Sequence, residues 1–240
     1  NPFVAQTLES VAAQAGRDLQ ECETLLQSAR ARLFAARDRR VRPGRDEKIL
    51  TSWNALMIEG MAHAARVFGR DDWHGSARGA MDFVTARMCK QGRLLATCKD
   101  GRAHLNAYLD DHAFLLAALL EMLQAEFAAG DLQLATALAD TLLEHFEDRA
   151  MGGFFFTSDD HEALILRPKP GADNATPSGN GIAALALTRL GHVLGESRYL
   201  QAADKALRLF YPSMLRQPGG FSTLCAALDA VLEPTRVIVL

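Results

Sequence analysis

The chain has no apolar run long enough to cross a bilayer. Its longest, Ala113 to Leu120, has eight residues, against the roughly 20 that a spanning helix needs. Cysteine is sparse: Cys22, Cys89, Cys98 and Cys225 are scattered without a C-x-x-C pair, which excludes a disulfide frame or a zinc ribbon and reads as small apolar residues in a reducing compartment. Aromatics make up 7% of the residues, with two Trp and three Tyr, so few rings are available to stack on a ligand. No charge sign dominates, and a net charge of −3 argues against an obligate binder of nucleic acid or anionic membranes. The basic stretch from Arg30 to Arg45 is broken by Asp38, followed by Asp46 and Glu47, and carries no interleaved aromatics beyond Phe34, as on a solvated face. Arg outnumbers Lys 21 to 5, which reads as codon bias rather than function.

Cofactor signatures are missing as well. Seven histidines show no H-E-x-x-H spacing, and the glycines and serines form no G-x-G-x-x-G, phosphate-loop or G-x-S-x-G pattern. No metal and no cofactor are expected, and covalent serine chemistry is disfavoured. The chain opens on Asn1-Pro2 without a basic-then-apolar leader and closes on Arg236-Val-Ile-Val-Leu240, an apolar strand with nothing after it to pair with. The expectation is a cytoplasmic fragment of a longer polypeptide, with residues 236–240 starting its next segment.

What is present is helical periodicity. The 49% hydrophobic and 23% charged residues are those of a globular protein. Helices are expected over Val4–Ala36 with a break near Gly16, Thr51–Phe68 capped by Thr51, Trp73–Cys89, Ala107–Phe127, Leu132–Phe146, Ser178–Leu194, Ser197–Leu215 and Gly220–Leu232. Leu94–Asn106 reads as a hairpin turning at Lys99-Asp100-Gly101, and Ala163–Leu166 as a strand in a second excursion. No low-complexity linker divides residues 1–240, so a single domain is expected. Helix pairs joined alternately by tight turns and by longer loops pack as a bundle, a solenoid or a closed ring of hairpins. The most apolar segments, Thr51–Ala65 and Ala113–Met122, both follow long polar loops and would begin on one rim.

Three stretches could carry chemistry at that rim. In Tyr108-Leu109-Asp110-Asp111-His112, adjacent carboxylates open an apolar helix, where the dipole and free amides should lower their pKa. An acid/base pair would need their environments to differ, and the bland alternative is an N-cap beside a first-turn charge. In Arg167-Pro168-Lys169 through Asp173 to Ser178-Gly179-Asn180, Ser178 is a natural N-cap and Asn180 could aim an amide at a hydroxyl. In Asp46-Glu47-Lys48 to Trp53-Asn54, an aromatic face with an amide beside it could wall a sugar site, although a buried structural Trp would leave the same trace.

Together these stretches resemble a known family. Asp46-Glu47-Lys48-Ile49-Leu50-Thr51-Ser52-Trp53-Asn54, Tyr108-Leu109-Asp110-Asp111-His112-Ala113-Phe114, Gly152-Gly153-Phe154-Phe155, Arg167-Pro168-Lys169 and Pro177-Ser178-Gly179-Asn180 occur in the order seen in the helical part of the spermatogenesis-associated protein 20 (YyaL) family of thioredoxin-domain-containing proteins. The resemblance spans about Arg39 to Leu240, departing at His112, where the family usually has Tyr, and at Ala55 and Asn174, where it favours Gly. It implies an all-α fold, an α/α toroid like six-hairpin glycosidases and N-acylglucosamine 2-epimerases, with small β-hairpins in the longer loops. It also implies an incomplete ring and an N-terminal thioredoxin-like domain that this chain lacks.

The reading that follows is a carbohydrate-binding or carbohydrate-active barrel, epimerase-, isomerase- or hydrolase-like, with Asp110, Asp111 and His112 as catalytic candidates. Trp53, Asn54, Asp46, Tyr108, Arg167, Asp173, Ser178 and Asn180 would bind the substrate. For a hydrolase, one of Asp110 and Asp111 would pair with Asp46 or Asp173. The rival is a non-catalytic helical module that docks the thioredoxin-like domain or another protein, with the same motifs serving as caps and loops.

Overall fold

In the computed structural model, which describes residues 4–162 and 165–233, contacts divide the chain at Asp46 into two compact units. The first holds α1 (Leu8–Ala15) and α2 (Leu19–Asp38). Thr7 and Asp18 cap their starts, and Gly16 in the left-handed region makes the expected break. Within this unit little is buried beyond Ala12 and Cys22.

The second unit begins with β1 (Ile49–Leu50) and runs through α3 (Thr51–Phe68), α4 (Asp71–Phe83), β2 (Cys89–Lys90), β3 (Arg93–Lys99), β4 (Arg102–Asn106), α5 (Leu109–Ala125), α6 (Ala129–Thr141), α7 (Gly179–Leu194), α8 (Ser197–Arg216) and α9 (Ser222–Leu232). The helices form two layers. α3, α5, α7 and α9 pack side by side in sequence, while α4, α6 and α8 each back the helix before them. This is the alternation of an α/α toroid. α5 is the central member, buried on every side from Asp111 to Met122, so its sequence is apolar around the whole circumference rather than striped. No described helix is long and apolar enough to cross a membrane.

α4 and α6 each end in a π-helical turn, Val84–Met88 and Leu142–Phe146, so both outer helices stop earlier as α-helix than periodicity suggests. The chain then enters its two long excursions. The first holds the expected hairpin: Asp100 and Gly101 both have φ > 0, as a two-residue turn matched to strand twist requires. A second such turn at Gln91-Gly92 adds β2, and β1 pairs with the far side of β3. Lys90-Gln91-Gly92 was legible as a stop, but not as a hairpin. In the second excursion, Ile165 and Leu166 are exposed and form no strand, while Ala163 and Leu164 lie outside the described residues, as does the expected strand at 236–240.

The inner helices start on one rim, and carboxylates join those starts. Asp111 accepts the Tyr108 backbone N–H at 2.9 Å in the capping box of α5, and the Ser52 N–H of α3 at 2.8 Å. Thr51 is therefore not the cap expected from sequence. Its hydroxyl donates to Leu95 O at 2.6 Å, tying α3 to the hairpin, and the free amide behind it is served by a residue 59 positions away. Asp173 does the same between α7 and α9, accepting from Ser178 N (2.8 Å), Thr223 N (2.9 Å) and Thr223 Oγ1 (2.6 Å).

Replacing Asp111 by Ala strands two amide donors in the interior and should destabilise the fold by about 2–3 kcal/mol. Asp111→Asn, with one acceptor oxygen left, should lose about half of that. Urea unfolding of both variants checks the order.

Candidate active site

Positions N2 and N3 of α5 point in different directions, so neighbouring carboxylates meet different surroundings. Asp111 is 3% exposed with both oxygens taken. Asp110 is half-buried and carries no hydrogen bond among the described residues; its carboxylate lies against the first residue of α7, Gly179. A Cβ on Gly179 would collide with Asp110 Oδ1 and sit 3.0 Å from Leu109 Cγ. Glycine there is the condition for α5 and α7 to bring their starts together with a carboxyl between them.

The helix ends do not lower these acids as the dipole argument suggests. Burial pushes Asp110 up to about 6. Burial also raises Asp111 to about 6, against its amide hydrogen bonds from Tyr108 and Ser52. Desolvation of a carboxylate here outweighs partial charges on helix ends. Asp173 goes the other way: burial raises it, but the combined hydrogen bonds from Thr223 and Ser178 hold it below the usual range.

Most of the other nominated side chains serve the backbone. Asn180, fully buried, accepts Phe154 N–H at 2.7 Å and donates to Phe154 O and Pro170 O at 2.9 and 2.8 Å, pinning the second excursion onto α7. Ser178 is the N-cap of α7, accepting from Gly181 N. Asn54 donates to Leu50 O. Arg167 donates to His145 O and Thr157 O and lies over the Phe155 ring. Tyr108 stacks on Phe156 at 5.1 Å and 12°. Trp53 is 64% exposed on α3, and Asp46 is an exposed residue of the first unit.

His112 does not share a pocket with Asp110. It lines a cavity of about 200 Å³ beneath the hairpin, with Arg93, Asn106 and His145. Its Nδ1 lies 3.0 Å from Tyr108 O. A carbonyl only accepts, so Nδ1 carries the proton and Nε2 the lone pair. Burial drops this imidazole to about 4, so it is neutral at neutral pH. Sequence reasoning missed the rest of this cavity, because Arg93, His145 and Ser158 form no motif in one dimension. Among the described residues, His145, Asp159 and Asp160 bring possible metal-ligating atoms within 4.8 Å of one another. His145 is already paired with Asp159 at 2.8 Å, and Asp160 with the Arg93 guanidinium.

Comparison with known proteins adds relatives to this geometry. No family model matches the chain. Over 248 residues it is 33% identical to spermatogenesis-associated protein 20 of Homo sapiens, covering 99% of this chain and 32% of that protein. The chain thus spans about a third of the length of the curated relatives it matches first. Among solved structures it resembles a GH76 alpha-mannanase of Bacteroides thetaiotaomicron, at TM-score 0.63 and 11% identity over 80% of this chain and 54% of that one. It also resembles cellobiose 2-epimerase of Spirochaeta thermophila, at TM-score 0.57 and 20% identity over 70% of this chain and 44% of that one. At these identities the likeness is one of fold, and that fold is the α/α toroid.

A carboxyl held near 6 in the fold, against an ordinary 3.8, favours the folded state in its protonated form. That contribution is complete below the ordinary value and is lost as pH rises through about 6. Asp110→Asn, permanently neutral, should match the parent's melting temperature at about pH 4 and exceed it at about pH 8. Paired thermal melts across pH measure the difference.

Proposed function

The chain belongs to the spermatogenesis-associated protein 20 family, and from that premise we propose that it is a carbohydrate-active α/α barrel segment using Asp110 as its acid/base group. The observation that carries the reading is the state of that carboxyl. It sits where inner helix starts gather, half-buried and without a hydrogen bond among the described residues, with its pKa raised to about 6. A group of that kind takes a proton as carboxylate and returns it as acid near neutral pH. The fold is shared with proteins named as a cellobiose 2-epimerase and a D-mannose isomerase, which supports a sugar as the ligand class.

Of the three carboxylates at the inner helix starts, Asp111 and Asp173 are committed to backbone amides. Hydrolysis with a second free carboxylate is therefore less well supported than proton transfer beside a sugar carbonyl. Trp53, exposed in the first turn of α3, is the ring available for stacking.

One observation favours the rival reading. Asn54, Asp111, Asp173 and Asn180 all serve backbone groups, and Trp53 and Met57, 64% and 63% exposed, form an apolar stripe on α3 that could dock a thioredoxin-like domain of a longer parent.

Deuterium uptake at the carbon beside the carbonyl of cellobiose or mannose, followed by NMR in D2O, separates the two readings. The barrel reading expects uptake that rises with pH through about 6 and falls about 10²–10⁴-fold in Asp110→Asn. Equal uptake in parent and variant, or none in either, overturns it.

A further inference from the structure

The cavity holding His112 has no part in the chemistry proposed for Asp110, yet its mainly apolar lining carries a few polar side chains with unused capacity. Its walls bring together residues from four separate places: Arg93 on β3, Asn106 at the end of β4, His112 on α5, and His145 and Ser158 around the start of the second excursion. Leu94 and Leu138 supply apolar wall. Ser158 is 4% exposed, and its hydroxyl has no hydrogen-bond partner. It lies beside Asp160, whose carboxyl it helps to hold low, without reaching full hydrogen-bond geometry there. A buried hydroxyl left unpaired is costly, and interiors rarely keep one without a water or ligand to serve it. Across the cavity, His112 Nε2 offers a lone pair that no described residue occupies, because the ring proton is held on Nδ1 by the Tyr108 carbonyl.

Charge narrows the ligand class. Arg93 already holds Asp160 with both guanidinium ends, and His145 Nδ1 sits 2.8 Å from Asp159. An anion finds the Arg93 guanidinium already committed to Asp160, and a cation would meet Arg93 itself. A neutral molecule meets a lone pair at His112, a hydroxyl at Ser158 and an amide at Asn106, which together suit alternating hydroxyl donors and acceptors. Size narrows it again. A cavity of about 200 Å³ exceeds the roughly 150 Å³ known to hold a benzene ring, so it has room for one six-membered ring.

We propose that this cavity is a binding site for a single neutral, hydroxylated six-membered ring of monosaccharide size, with His112, Ser158 and Asn106 as its polar contacts. It lies on a different side of the first turn of α5 from the Asp110 carboxyl, and its occupancy does not depend on that residue.

The test uses the whole chain with D-glucose and myo-inositol as neutral rings and inorganic phosphate as the anion, observed by ligand-detected NMR titration. Both rings should bind in the millimolar range typical of a lone small ligand, roughly 4 kcal/mol or less of affinity, and phosphate should not compete. Ala137 lies on the exposed side of α6 at the cavity wall, where Phe fills the space without entering the core, so Ala137→Phe should abolish binding of myo-inositol, which has no carbonyl for the Asp110 chemistry. Ser158→Ala should weaken it at least fivefold while raising the melting temperature of the free protein, because the unpaired hydroxyl is gone. A purely structural Ser158 would lower that temperature instead. Asp110→Asn should bind myo-inositol like the parent, which separates this site from the acid/base reading. Absence of binding by both rings, full binding of myo-inositol by Ala137→Phe, a lowered melting temperature in Ser158→Ala, or loss of myo-inositol binding in Asp110→Asn each overturns the proposal.

Discussion

Carboxylates that bridge the starts of neighbouring inner helices are the interaction on which the second unit rests. Helices gathered side by side with their N-termini at one rim bring together positive dipole ends and several amides without intrahelical partners. Asp111 answers both problems at α3 and α5, and Asp173 answers them at α7 and α9. Each accepts hydrogen bonds from two segments distant in sequence, so each cap is also a tertiary tie. Asn180 extends the same logic by giving the excursion backbone at Phe154 the partners a neighbouring strand would have supplied.

This arrangement separates Asp110 from its neighbour. Two carboxylates one residue apart share a helix start and a raised pKa, but one is consumed by amides and the other is held against Gly179 with its oxygens free among the described residues. The rim thus contains polar groups that make the ring of helix starts and one group that the ring leaves over. The cavity under the hairpin follows from the same construction. His112, on the next face of α5, is turned away from the rim by the Tyr108 carbonyl and toward the outer layer, where it meets Phe146 at 4.9 Å.

Much of the layer architecture was legible along the chain. Tight turns at Gly69 and Gly195, both with positive φ, alternate with long polar loops, and only paired helices satisfy that rhythm. The all-round apolar character of Ala113 to Leu120 already marked α5 as enclosed. Local signals that compete with tertiary contacts were harder to read. Thr51 looks like a cap because Thr before an apolar run usually is one, yet a strand carbonyl from Leu95 takes its hydroxyl. The carboxylates at the start of α5 look like lowered acids because dipoles are local, whereas desolvation depends on what packs over them.

The sequence by itself determined the helical class, the pairing of helices, the Asp100-Gly101 turn and the common rim for the inner starts, because periodicity and turn chemistry are properties of neighbouring residues. Only the tertiary structure decided which polar residue is a tie and which is left free. It also decided that Arg93, His112, His145 and Ser158 would enclose one space. Hydrogen bonds between residues 50 or more positions apart and the burial that shifts a carboxyl come from segments that no local pattern announces.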